Sequence, residues 1–223
     1  MSDLLENFAN WESLQQIYPL LLQGLRLTIY LSVVTLPLAL ASGLCVAILY
    51  SFGNRVARIA LLVTIDALRS FPVLVLLVLI YYGLPFVGIT FSGFWATVVA
   101  ITLNNTGYFG EIFRAGLLSV PVGQYEAAAA LGLGRWHTML LVVLPQAVRK
   151  VIAPLSGNAL ELVKTTPIAA LVALPELLRS AQVAQEQTYN PTPLMAAAAI
   201  YFIILWPLSR WVSVLEFRAI ARR

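Results

Sequence analysis

LTIYLSVVTLPLALASGLCVAILY, residues Leu27–Tyr50, decides the fold class. It carries no charge over more than the roughly 20 residues a helix needs to cross a bilayer. It also lacks the period-two alternation of a transmembrane β-strand. An amphipathic lead-in from Ile17 precedes it. Outward from this stretch lie four more apolar runs: Val56–Phe86, Phe94–Ile112, Val151–Leu174 and Met195–Val214. Val56–Phe86 is too long for one straight span. Arg69 and Pro72 split it into Val56–Leu68, read as lying at the interface, and Phe71–Leu84, read as crossing. Pro85, Gly88 and Gly93 punctuate the chain before the third span, and Pro191 and Pro193 open the fifth. The expectation is an all-α polytopic membrane protein of about five transmembrane helices, with residues 1–223 forming one transmembrane domain.

Composition agrees. Of 223 residues, 60% are hydrophobic and 11% charged, where soluble domains run to about a quarter charged. Mean hydropathy is +0.86. A soluble core has no use for that much apolar surface. The single cysteine, Cys45, and single histidine, His137, leave no disulfide framework and no Cys/His metal cluster. Cys45 sits in an apolar run and is expected to be buried. His137 has no catalytic partner in sight, so a membrane enzyme is disfavoured and no catalytic or metal site is expected. The first 16 residues are polar and acidic (Asp3, Glu6, Glu12) and lack a basic n-region, so the first helix is expected to stay as an anchor. Membrane lipid is the expected surrounding, and nucleic acid is not an expected partner.

Charge placement gives orientation. The tail ahead of Ile17 has no Lys or Arg. The next connection carries Arg55, Arg58 and Arg69, and Gly83–Gly93 carries none. The loop after the third span has Arg114, Arg135, Arg149 and Lys150. Arg179 stands against Glu176 and Glu186, and the C-terminal end holds Arg210, Arg218, Arg222 and Arg223. Basic loops face the cytoplasm. The N-terminus is therefore expected outside and the C-terminus inside, as an odd number of spans requires.

The most specific segment is GQYEAAAALGLGRWHTMLLVVLPQAVRKVIAP, Gly123–Pro154. The alanine run favours helix, and Gly132 and Gly134 break it. A second amphipathic stretch, Trp136–Val143, is expected to end at Pro145. This predicts a cytoplasmic helix–break–helix within about residues 115–150, with small residues that let a partner's groove approach closely.

With Glu126, Ala127, Ala128, Gly132 and a terminal Leu144–Pro145, the segment resembles the EAA loop of ABC-importer permeases, which docks on the ATPase. YFGEIFRAGLLSVPVGQYEAA from Tyr108, LPQAVRKVIAP from Leu144, LVKTTPIAALVALPELL from Leu162 and LRSFPVLVLLVLIYYGLP from Leu68 are similar to the polar amino-acid permeases of that class. The likeness covers nearly the whole chain. It departs at Arg69-Ser70-Phe71-Pro72, where the family usually has Arg-Gly-Thr-Pro. Lys164-Thr165-Thr166-Pro167-Ile168 stands where Lys-x-Thr-Ser-Leu is usual, and Asn104-Asn105-Thr106-Gly107 replaces a small Ser/Ala-rich run. These changes bear on the substrate.

The resemblance implies a bacterial inner-membrane permease subunit that moves polar amino acids or close derivatives by alternating access. It implies an ABC ATPase dimer, a periplasmic or lipid-anchored binding protein, and a second permease subunit, identical or paralogous, since five spans are too few to enclose a gated path. No GxxxxGK[ST] phosphate loop occurs. This chain is therefore expected to hold no cofactor and not to be an enzyme, with ATP and Mg on the ATPase. The alternative is a self-contained secondary transporter or small channel subunit, though no clear internal repeat supports it.

Candidate path residues are the ionisable and polar ones inside spans. Glu161 and Lys164, three apart, form either an intrahelical ion pair or, through Glu161, a ligand for a cationic part of the substrate. Asn104, Asn105, Thr106 and Tyr108 either bond between helices or line the path. Glu111 with Arg114, and Asp66 with Arg69, are expected to pair at the interface.

Overall fold

A computed structural model describes residues 10–221, with side chains through residue 217. Asp3, Glu6, Arg222, Arg223 and the side chain of Arg218 lie outside this range. Every regular element in the range is helical.

Helix α1, Trp11–Phe52, is continuous over 42 residues, so the lead-in from Ile17 and the first span are a single helix. Asn10 opens it by accepting a bond from Ser13 N at 2.9 Å. Helix α2, Arg55–Ser70, is capped by Asn54, whose side chain accepts from Ala57 N. It stops because Phe71 precedes Pro72 and is held extended (φ −78, ψ 126), the region a pre-proline residue prefers. Helix α3, Val73–Val78, runs into a π turn, Leu79–Gly83, and a 3-10 turn, Leu84–Val87. Next comes α4, Gly93–Leu118. Helices α5, Val122–Ala130, and α6, Arg135–His137, are followed by a second π turn, Thr138–Val143, and by α7, Leu144–Thr165. The 3-10 segment Thr166–Val172 leads to α8, Leu177–Thr188, and α9, Thr192–Ala221.

Among the described residues, three stretches are long and apolar enough to cross a membrane: Trp11–Phe52, Arg135–Val172 and Thr192–Phe217. They become four if α2 and Val73–Val87 are one broken span. At 26 residues α4 has the length, but Asn104, Asn105 and Thr106 lower its apolar content. The chain is a multi-pass membrane protein.

The chain divides into two compact units. The first comprises Met1–Leu36, Val73–Ile101 and Leu160–Arg210. Its core packs Ile17 and Leu21 of α1 against Leu177, Ala181 and Ala184 of α8 and Ala197 of α9. A second cluster joins Leu77, Ile80, Ala96, Ala100 and Val172. Small residues at these contacts let helix backbones approach, which drives association where lipid is as apolar as the protein. Within this unit α8 opens on Glu176, which is fully buried. Its carboxylate accepts Leu178 N at 2.9 Å, Arg179 N at 2.7 Å and the Tyr201 hydroxyl at 2.9 Å. Thr28 of α1 accepts Leu177 N at 3.1 Å beside it.

The second unit comprises Pro37–Pro72, Thr102–Ala159 and Trp211–Arg223. Here α1 and α4 cross at Gly43. A Cβ on Gly43 would lie 2.6 Å from Phe109 Cβ and 2.8 Å from Gly110 N, so only glycine fits.

Three expectations need correction. Pro145 does not end a helix. It sits in the first turn of α7, and the helical path runs through it from Arg135. The preceding π turn contains Leu141, whose carbonyl a proline four residues on would strike in a regular α-helix. Cys45 is exposed, because an apolar stretch in a membrane helix can face lipid as well as protein. Asp66 and Arg69 form no ion pair. The Arg69 guanidinium lies 5.4 Å from the centre of the Tyr108 ring instead.

Candidate functional site: the coupling helix and the polar face of α4

Helix α5 presents an almost bare surface. Glu126, Ala127, Ala129 and Ala130 are exposed, and Ala128 is buried. The helix ends in a Schellman motif: Gly132 N donates to Ala129 O at 2.9 Å and Leu133 N to Ala128 O at 3.1 Å. This closure puts Gly132 at φ +78, where a side chain is strained. Leu131, just before it, is 82% exposed. A large apolar side chain on a short helix of alanines is left without a cover from the second unit. Gly134 then caps α6, with Thr138 N bonded to its carbonyl at 2.9 Å. Trp136 stacks on Phe52 at 4.3 Å. A cavity of about 270 Å³ opens beside α5, lined by Ser51, Phe52, Tyr125, Ala129, Arg135 and Met139 among others. Gln146 and Lys150 of α7 brace the loop. Gln146 Nε2 donates to Gln124 Oε1 at 3.0 Å and Lys150 Nζ to Ser119 O at 2.6 Å. Pro145 is exposed one residue before this brace.

The polar cluster of α4 does not converge on one point. Asn104 Nδ2 donates to Leu68 O at 3.1 Å and Phe71 O at 3.0 Å, satisfying carbonyls freed where α2 breaks. Tyr108, one turn on, donates its hydroxyl to Arg69 O at 3.4 Å. Asn105 Oδ1 accepts from Asn158 Nδ2 of α7 at 3.1 Å. Thr106 Oγ1 lies 2.6 Å from Ser42 Oγ of α1 and donates to Thr102 O at 2.7 Å. Consecutive helix residues point about 100° apart, so these side chains reach three different neighbours. Bonding between helices, or back onto the helix itself, accounts for all of these contacts.

Glu161 and Lys164 pair at 2.6 Å, and both are exposed in the first unit. The carboxylate thus has its countercharge, yet the pair remains open to a competing cation. Glu111 holds Arg114 in a two-pronged pair at 2.6 and 2.8 Å. No group of three or more His, Cys, Asp or Glu among the described residues could hold a metal. Sequence reading passed over Glu176 as a loop charge. Its signal, a glutamate ahead of an amphipathic run, is faint because Asp, Asn and Ser are the usual helix caps.

A multi-pass helical protein with a short, glycine-ended helix on one loop has the architecture expected of an importer permease. Comparison with known proteins agrees. Residues 35–220 match the family described as binding-protein-dependent transport system inner membrane component, and the chain belongs to that family. It is 35% identical over 211 residues to the L-cystine transport system permease protein TcyB of Bacillus subtilis (strain 168), covering 93% of this chain and 90% of that one. It is 32% identical over 198 residues to the glutamine transport system permease protein GlnP of Escherichia coli (strain K12), covering 88% and 90%. Among solved structures, a crystal structure of an amino acid ABC transporter with histidines superposes with a TM-score of 0.82 at 31% identity, over 93% of this chain and 98% of that one. The chain is thus an ABC-importer permease and not a self-contained secondary transporter.

Proposed function

We propose that this chain is the membrane subunit that carries a polar amino acid through an ATP-driven importer. The observation that carries the reading is the exposed alanine face of α5, closed at Gly132 by a motif only glycine fits without strain. Such a face suits a groove on a separate ATPase dimer, where ATP and Mg are bound and the ATP is hydrolysed. Glu126 and Ala127 would sit at that contact, with Ala128 turned inward behind them and Gly132 and Pro145 shaping its edges. Relatives named for glutamine and cystine support the amino-acid class. A substrate-binding protein delivers the amino acid on the far side, and a second permease subunit completes the path. Residues 1–223 act as one transmembrane domain of the cytoplasmic membrane, with the N-terminus outside and the C-terminus inside. Glu161 is the candidate ligand for the substrate's ammonium group, in exchange for Lys164. Asn104, Asn105, Thr106 and Tyr108 set the helix packing around the path.

Bulk added at Ala127 tests the docking without straining Gly132. Ala127→Trp should leave expression and membrane insertion intact while abolishing transport and substrate-stimulated ATP hydrolysis together. A variant that couples normally would overturn the docking assignment.

A further inference from the structure

Helix α2 begins with Arg55 and Arg58 and has no acidic residue in its first turn. A helix start is its positive pole, so two guanidiniums there lie at the wrong end of the dipole. Arg58 is held by its own neighbours: Nε and Nη2 donate to Tyr50 O and Ser51 O, each at 3.2 Å. Its guanidinium lies 5.6 Å from the Tyr50 ring centre, and that of Arg114 lies 5.5 Å from the same centre. Arg114 is neutralised by Glu111. Among the described residues, neither Arg55 nor Arg58 has a carboxylate partner. Beside Arg58 opens a cavity of about 120 Å³, lined by Tyr50, Ser51, Arg58, Arg114, Leu118 and Tyr125 among others.

The rest of α2 supplies the complement. Val56, Ile59 and Val63 are 76%, 54% and 62% exposed, and their spacing of three and four places them in one stripe. Only Ile65 of this helix is buried. An exposed apolar stripe with arginines at one end is the make-up of a helix lying in the membrane interface.

We propose that the start of α2 binds the phosphate of an anionic phospholipid, with an acyl chain along Val56, Ile59 and Val63. The phosphate neutralises Arg55 and Arg58 and lies at the helix's positive pole, where backbone and side chains both favour an anion. Tyr125 of α5 lines the cavity beside Arg58, so the Arg58 side of the site borders α5.

Native mass spectrometry of the intact, delipidated transporter complex tests this. The lipids are phosphatidylglycerol and phosphatidylcholine, and the soluble control is glycerol 3-phosphate. Phosphatidylglycerol should bind roughly tenfold tighter than phosphatidylcholine, the scale of one charge-assisted bond. Arg55→Gln together with Arg58→Gln should erase that preference. Arg58→Lys, which keeps the charge, should retain most of it. Arg58 also ties down the end of α1, so Arg55→Gln alone provides a variant that leaves those bonds in place. It should weaken phosphatidylglycerol at least threefold. The proposal fails if the variants bind phosphatidylglycerol as the parent does. It fails equally if glycerol 3-phosphate competes at equal concentration, making a soluble anion the ligand. Loss of the ATPase from the variant complex with lipid binding unchanged would make the face a protein interface and overturn it as well.

Discussion

Replacing Glu176 with glutamine changes one atom in a fully buried site. Oε1 accepts Arg179 N, and Oε2 accepts both Leu178 N and the Tyr201 hydroxyl. A protonated carboxyl can serve all three, since its hydroxyl oxygen still accepts Leu178 N while donating to Tyr201. An amide cannot. Either orientation turns its NH2 toward a backbone N–H, leaving one buried donor unpaired. That costs about 1–3 kcal/mol, or roughly 3–10 °C of melting temperature for a chain of this size. Burial pushes the Glu176 carboxyl above its ordinary value, opposed by the hydrogen bonds it accepts. The folded state therefore holds the proton more tightly than the unfolded one. The stabilisation is full below the ordinary carboxylate pKa near 4.3 and is lost as pH rises through the folded value. Glutamine does not titrate, so the gap between parent and Glu176→Gln should narrow as pH rises. Thermal unfolding in detergent, followed by tryptophan fluorescence between about pH 4 and 8, measures both effects. A variant melting within about 1 °C of the parent at low pH, or a gap that widens with pH, would refute the reasoning.

Gly43→Ala should cut the yield of folded protein in detergent, because its Cβ meets Phe109 Cβ at 2.6 Å and backbone at 2.8 Å; size-exclusion profiles of the variant would check it. Glu161→Gln should weaken transport by about one to two orders of magnitude while keeping assembly and basal ATPase rate, whereas unchanged kinetics for every amino acid carried would remove it from the path. In a cysteine-free background, a cysteine at position 88 should react with an impermeant thiol reagent in intact cells and one at position 135 should not; the reverse pattern would invert the topology.

The apolar helices were legible because runs of this length have few other uses, and the break at Phe71 because proline restricts the residue before it. The break at Gly132 was legible too, since no other residue closes such a helix without strain. The polar residues of α4 were visible as a patch, but not their directions. Three adjacent residues read as one cluster in sequence, while helical phase sends Asn104, Asn105 and Thr106 to separate partners. Pro145 was misread because sequence offers a proline as a stop and gives no sign of the π turn that admits it. Arg58 and Arg114 were legible as loop charges but not as neighbours, because residues 50, 58 and 114 meet only in three dimensions.

Both π turns precede a proline, Leu79–Gly83 before Pro85 and Thr138–Val143 before Pro145. Each holds about one residue more than an α-turn of the same rise. Everything beyond it is thereby rephased by about 100° around the helix axis. Apolar and polar faces traced along the sequence at a constant 3.6-residue period fall out of step at these two points. The braces from Gln146 to Gln124 and from Lys150 to Ser119 depend on that offset. Deleting one residue within Thr138–Val143 would turn both side chains away from the loop they hold, with no change in the composition of the span.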